Sequence, residues 1–228
     1  MMYPINLLQP SNWNNKKNTY FLVKGLVNLA IVNYEMGNLK SISSGLKKVG
    51  ATVQITKDPQ VLISSDGIVI PGVGAFGDAM KNLSLLRSTI LEEISNGKPF
   101  LGVCLGAQLI FEESTEFGLH KGLSILKGYI EKFPETIITP QIGWNQLMIQ
   151  QFDNPLVDGV ENNSYVYFVH SFYPVPENPE IIVAKTDYGI EFASIVAQDH
   201  IFATQFHPEK SSTVGLHILE NFINFIKK

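Results

Sequence analysis

The sequence predicts an α/β fold, an open and mostly parallel sheet flanked by helices, with an antiparallel-rich second half. Three observations carry this expectation. Between Leu29 and Ser114, short apolar runs alternate with segments whose apolar residues recur at helical spacing, the pattern of strands joined by helical crossovers. From Gly122 onward, strand-like runs are separated by Gly, Pro and Asn turns with little helix between them. Of the 228 residues, 45% are hydrophobic and 17% charged, which supplies enough apolar surface for a real core.

Residues 1–27 stand apart. They hold Asn6, Asn12, Asn14, Asn15 and Asn18, two prolines and no sustained periodicity, so they read as an irregular N-terminal extension and residues 28–228 as a single domain. Leu29 to Val32 reads as a buried strand. Past the Gly37-Asn38 turn, Leu39, Ile42, Leu46 and Val49 fall on one helical face. Ala51 to Thr56 is strand-like, and Gly67 to Ile70 is a second apolar run closed by Pro71. One helix is expected next, with Met80, Leu83, Leu86, Ile90 and Ile94 inward. Pro99 to Val103 is a strand, and Leu105 to Ser114 a helix. Further strands are expected over 122–132, 144–150, 165–170, 181–185, 192–197 and 201–206. A last helix over 214–226 turns Val214, Leu219, Phe222, Ile223 and Ile226 inward.

Charge and cysteine content narrow the function. Lys and Arg total 17 against 21 for Asp and Glu, a formal charge of −4, so no general attraction to nucleic acid or anionic membrane is expected. Cys104 is the single cysteine, which removes intramolecular disulfides and cysteine-rich zinc clusters. The five histidines lack metal-ligand spacing and have no nearby cysteines, so no metal is expected. No run approaches the ~18 apolar residues of a membrane span, and the cytoplasm is the expected compartment.

Three motifs bear on chemistry. Gly102-Val-Cys104-Leu-Gly106 sits at a predicted strand-to-helix junction. A nucleophile on such an elbow is pushed above the sheet edge, and the helix dipole favours its thiolate. The plainer reading makes Cys104 a small buried hydrophobe. Gln205-Phe-His207-Pro-Glu209 follows an apolar strand and offers a base with a carboxylate to orient it. In a parallel sheet, His207 and Cys104 would meet at strand C-terminal ends. Alternatively, His-Pro-Glu is a turn with a surface ion pair. Pro71-Gly72-Val73-Gly74-Ala75-Phe76-Gly77 matches a dinucleotide fingerprint only weakly, and suits better a loop offering N–H groups to an oxyanion, or an ordinary strand-to-helix turn.

Taken together, residues 34–42 (YEMGNLKSI), 71–80 (PGVGAFGDAM), 102–114 (GVCLGAQLIFEES), 142–145 (IGWN), 167–173 (YFVHSFY) and 205–211 (QFHPEKS) resemble the triad-type glutamine amidotransferases, and among them the histidine-pathway glutaminase subunits. The resemblance covers roughly residues 29–228. It implies glutamine hydrolysis by Cys104, His207 and Glu209, with no cofactor. It further implies that the N–H of Leu105 and one from Gly72-Val73-Gly74 hold the oxyanion, while Gln108 and His170-Ser171-Phe172 grip the amino-acid end of glutamine. The partner it implies is a (β/α)8 cyclase, in a heterodimer making imidazole glycerol phosphate and an aminoimidazole carboxamide ribotide. Asn33, Asn38, Gln141, Trp144 and Asn145 match positions at or near that interface. The chain departs from the family pattern at Asn33 and Glu35, where Asp and Gly are usual, and at Gln141, where His is usual. Other readings stay open here: a paralogue supplying ammonia to another synthase, such as one amidating a surface-polysaccharide sugar; a non-catalytic interaction subunit; and a stand-alone cysteine hydrolase.

Overall fold

Leu29, Ile31 and their neighbours Ala30 and Val32 are all buried, as a strand covered on both faces by helices must be. The computed structural model describes residues 25–228 and places this run inside its largest sheet. The extension expected over residues 1–27 lies outside the described residues up to Lys24. Val27 belongs to the fold: it is buried, and its carbonyl accepts the N–H of Thr52.

The first half runs β1 (Asn28–Val32), α1 (Leu39–Lys48), β2 (Thr52–Thr56), α2 (Pro59–Ser64), β3 (Gly67–Gly72), α3 (Phe76–Leu83), α4 (Arg87–Ser95), β4 (Phe100–Cys104) and α5 (Leu105–Leu109). The second half runs β5 (Glu113–Ser114), β6 (His120–Lys121), β7 (Gly128–Lys132), β8 (Gln141–Gln146), β9 (Met148–Ile149), β10 (Tyr165–His170), β11 (Phe172–Pro176), β12 (Ile182–Asp187), β13 (Glu191–Gln198), β14 (Ile201–Thr204) and α6 (Ser212–Ile226). The main sheet has the order β2-β1-β3-β4-β14-β13-β12-β9. Its first five strands are parallel and the remainder antiparallel. Beside it lie a β10-β8 pair and a four-stranded sheet, β11-β7-β5-β6.

Side chains alternate across the main sheet with period two and fill two cores. On one face, Leu29, Ile31, Leu101, Val103 and Phe202 pack with Ile42 and Leu46 of α1 and Leu219 and Phe222 of α6. On the other, Ala30, Val32, Ile68, Ile70 and Phe100 meet Phe76, Leu83, Ile90 and Leu109.

Several elements differ from the sequence expectation. The single helix expected through Met80 and Ile94 is two, α3 and α4; turn bonds from the N–H groups of Ser84 and Leu86 to Lys81 and Leu83 break it, and Leu85 projects outward at 88% exposure. The helix expected over Leu105–Ser114 stops at Leu109. The carbonyls that would continue it, of Leu109, Ile110 and Phe111, accept instead from Leu123, Ile125, Leu126 and Ser124. These bonds also keep residues 122–127 out of the strand expected there, which begins at Gly128. Four elements escaped prediction: α2, whose start Asp58 caps by accepting from Gln60 N–H at 2.9 Å, the short strands β5 and β6, and β11.

The topology sets three parallel strand ends side by side. Gly72 of β3 is in register with Cys104 of β4, and Val103 of β4 with Thr204 of β14. Phe202 of β14 is 1% exposed and packs edge-on against Phe222 and Phe225 of α6, at centroid distances of 6.0 and 4.9 Å. Phe202→Ala is expected to cost about 3–5 kcal/mol in urea unfolding, whereas Phe117→Ala, at a side chain 90% exposed, should change stability by no more than about 0.5 kcal/mol.

Candidate active site

Cys104 ends β4 with φ +55° and ψ −109°, a conformation L-residues rarely adopt, and the chain turns directly into α5. Holding a non-glycine residue there costs on the order of 1–3 kcal/mol, sustained only by the surrounding packing. Gly106 shows why the elbow needs its glycines: a Cβ there would lie 1.8 Å from the carbonyl oxygen of Ile70 in β3. The helix backbone thus rests directly on the neighbouring strand. Leu105 opens α5, so its N–H belongs to the turn that has no partner within the helix. The Gly72-Val73-Gly74 loop lies alongside, with Val73 and Gly74 exposed at the mouth.

His207 lies three residues beyond β14, next to β4. Its N–H donates to Tyr167 O at 3.0 Å, and its carbonyl accepts the Ser211 hydroxyl at 2.7 Å. Its Nδ1 meets Glu209 Oε1 at 3.0 Å, with side chains 3% and 2% exposed. The alternative of a surface ion pair is thereby overturned: the turn dives beneath β10 instead of facing solvent. Burial pulls the imidazole down, but the facing Cys104 sulfur and the Glu209 carboxylate outweigh it and raise it to about 10. His207 is therefore imidazolium at neutral pH, beside the sulfur it would serve. Its Nε2 is buried with no hydrogen-bond partner among the described residues.

Cys104 opens into a cleft of about 240 Å³, lined also by Val73, Gly74, Leu105, Gln108, Glu116 and Pro140, with Val169 to Phe172 along the far wall. A more open groove of about 490 Å³ between Val49, Val160 and His217 holds none of the residues selected from the sequence, so size does not mark the site. Inside the cleft, the Gln108 amide donates to Phe172 O at 2.9 Å and to Gln205 Oε1 at 3.0 Å. His170 Nδ1 donates to the same carbonyl at 2.8 Å. Burial among Phe133, Phe168 and Phe192, with the His207 charge nearby, drives His170 down to about 4, so its ring is neutral. Its Nε2 lies 2.9 Å from the Gln141 side-chain amide oxygen, a buried contact.

Sequence reasoning missed three contributors. Glu116 is the one acidic side chain lining the cleft among the described residues, and its Oε2 accepts the Phe76 N–H at 2.7 Å. Nothing in its spacing from Cys104 betrays it, because the chain leaves the helix in between. Tyr34 is buried under the glycine loop and donates to Pro71 O at 2.5 Å. Burial, assisted by Cys104, holds its hydroxyl protonated well above the usual range. Gln205 stood inside a quoted motif without a role.

The five positions matched to an interface divide. Trp144 is 51% exposed, Asn33 is half-buried, and Asn145 donates to Asp187 O. Asn38 is exposed and caps α1 by accepting from Ser41 N–H. Gln141 is 2% exposed, so its side chain serves His170 and not an outer surface. Glu35 adopts φ +67° where the family pattern has glycine, and its carboxylate pairs with Lys57.

Comparison with known proteins agrees with this geometry. A family model described as class I glutamine amidotransferase matches residues 30–225. The imidazole glycerol phosphate synthase subunit HisH of Methanothermobacter thermautotrophicus is 48% identical over 200 residues, 87% of this chain and 99% of its own. The subunit of the same name from Aquifex aeolicus is 49% identical over 195 residues, 84% and 94% of the two chains. Among solved structures, that of PurLQS from Thermotoga maritima superposes with a TM-score of 0.69 at 17% identity, covering 88% of this chain and 99% of the other. The glutaminase domain of Trypanosoma brucei CTPS gives 0.63 at 16%, covering 88% and 93%, which speaks for the fold alone. The chain belongs to the class I glutamine amidotransferases, in the group of HisH subunits.

Proposed function

We propose that the chain is the glutaminase subunit of an imidazole glycerol phosphate synthase, in which Cys104, His207 and Glu209 hydrolyse glutamine and ammonia passes to a partner subunit. The observation that carries this reading is the buried His207–Glu209 pair beside a strained Cys104 at the head of three adjacent strand ends. The relatives' shared name supports the histidine-pathway client over a paralogue serving another synthase. Intact triad residues argue against a non-catalytic subunit.

The reaction follows from the groups present. The Cys104 thiolate attacks the side-chain amide carbon of glutamine, forming a C–S bond. The resulting oxyanion falls between the Leu105 N–H and the Gly72-Val73-Gly74 loop. Collapse breaks the C–N bond as His207 gives its proton to the departing nitrogen, leaving ammonia and a thioester. Neutral His207 then takes a proton from water, whose oxygen attacks the thioester. Glutamate leaves, and thiolate and imidazolium are restored. Glu209 keeps the ring oriented throughout. At the other end of the cleft, Gln108 and the His170-Ser171-Phe172 wall hold the amino-acid end of the substrate, and Glu116 supplies the negative charge its ammonium needs.

The partner is a (β/α)8 cyclase docking over the cleft mouth, where Val73, Ile142 and Trp144 expose apolar surface. Delivery directly into that partner keeps ammonia from bulk water. The working unit is a single domain beginning at Val27, in the cytoplasm. No helix among the described residues is long and apolar enough to cross a membrane.

Three outcomes test this reading. Cys104→Ala should lower glutamine-dependent synthesis by the reconstituted synthase on the order of 10⁴-fold or more, while synthesis from added ammonium salt persists; retained use of glutamine would remove Cys104 from the mechanism. Glu116→Gln should raise KM for glutamine about tenfold and leave kcat within about threefold; an unchanged KM would place the ammonium elsewhere. In NMR titration, His207 should stay protonated through the neutral range and lose its proton near pH 10, and Cys104→Ala should bring that midpoint down because the sulfur's share of the attraction is gone. A midpoint near 6.5 in both proteins would rule out the ion pair.

A further inference from the structure

The Cys104 sulfur has two polar neighbours besides His207. Val169 O lies 3.8 Å from Sγ and can only accept, so it suits the thiol. Gln205 Nε2, also 3.8 Å away, can only donate, so it suits the thiolate. We infer that Gln205 is a positioning residue for the nucleophile, its side-chain amide holding the Cys104 sulfur as thiolate while Gln108 dictates which way that amide points. This deepens the proposed glutaminase reading and rests on Cys104 being its nucleophile.

A backbone carbonyl sets the direction of both amides. Phe172 O can only accept, so the end of the Gln108 amide that faces it must be the NH₂. That same nitrogen meets Gln205 at 3.0 Å, so the Gln205 atom facing it must be the carbonyl oxygen. The Gln205 NH₂ is then left for the sulfur. Amide orientation is usually an assignment between near-identical atoms, but here Phe172 O decides both amides in turn. Gln205 is 1% exposed, so solvent offers its side-chain amide no substitute partner.

The charges around the sulfur leave this donor a distinct task. His207, beyond β14, faces Cys104 with a positive charge that Glu209 partly balances from behind. Tyr34, from the loop after β1, faces it as a protonated phenol whose hydrogen bond goes to Pro71 O. His170, on β10, is neutral, and Glu116 stands across the cleft. His207 gives up its proton only while the sulfur is bonded to carbon, and it is protonated again when hydrolysis releases the thiolate. Gln205 keeps its donor through the whole cycle, because an amide does not titrate.

Cys104 being the chain's single cysteine makes the test clean, since alkylation by iodoacetamide reports on that sulfur alone. The rate is followed against pH in the full chain and in Gln205→Met, which keeps length and removes the donor, and Gln205→Glu, which keeps shape and replaces donor by acceptor. At pH 7, Gln205→Met should alkylate about tenfold more slowly and Gln205→Glu more slowly again, the deficit narrowing as pH rises. In the synthase, kcat should fall in parallel with KM for glutamine within about threefold, a split that a general loss of packing would not produce. A folded Gln205→Met that alkylates within about twofold of the native rate at every pH overturns the inference. Should neither variant fold, the Gln205 side-chain NH₂ resonance decides in the native background: it should move on Cys104→Ala, and a resonance that stays put overturns the inference equally. Failure of the glutaminase reading looks different, with glutamine untouched by the native synthase while the alkylation comparison still reports on Gln205.

Discussion

At Gly106 a single methyl group would land 1.8 Å from the Ile70 carbonyl, and at Gly102 it would land 2.7 Å from the carbonyl of Gly106. The first turn of α5 therefore lies backbone-to-backbone on β3 and β4 with no side chain between them. From this contact follow the positive φ of Cys104, the closeness of the Gly72 loop to the sulfur, and the short span across which an oxyanion could be held. Neither glycine can be replaced by any other residue without lifting the helix off the sheet.

A second layer of order comes from what lies under the strand ends. His207 cannot reach Cys104 by sequence proximity, because 103 positions separate them; β14 inserted beside β4 brings it there. Ser211 then ties the turn to β10, its hydroxyl donating to His207 O and accepting from Tyr167 N–H. Strand β10 with its His170 is thus joined to the segment that carries His207 and Glu209. Burial without the Glu209 carboxylate at Nδ1 would leave an imidazolium uncompensated on that side, at a cost of several kcal/mol.

How much of this the sequence discloses depends on whether the information is local. The elbow is legible because its strain demands glycine at both flanks of Cys104, and the parallel core is legible because a strand covered on two faces must be apolar throughout. His-Pro-Glu is legible as chemistry but not as burial, since loop charges are ordinarily solvated and only the packing of β10 and α6 says otherwise. Helix α5 reads too long because Leu109, Ile110 and Phe111 suit a helix, a strand or a buried turn equally; long-range bonds from residues 123–126 choose the turn. Glu116 and Gln205 are silent for the same reason: the fold brings their partners, the Phe76 N–H and the Gln108 amide, from far along the chain, and Gln141 changes meaning once its partner is known to be His170.

Two histidines near Cys104, His170 and His207, carry opposite protonation, and this has a consequence for the stability of the domain. His170, held down at about 4, binds its proton more readily in the unfolded chain, so its contribution rises as pH climbs from about 4 to 6.5. His207, held up at about 10, binds its proton more readily in the folded chain; its contribution is complete below 6.5 and drains away as pH climbs to about 10. The two slopes meet near neutrality. A pair of imidazoles set against one another in this way gives the fold a proton-linked optimum at the pH where a histidine free in water is half charged.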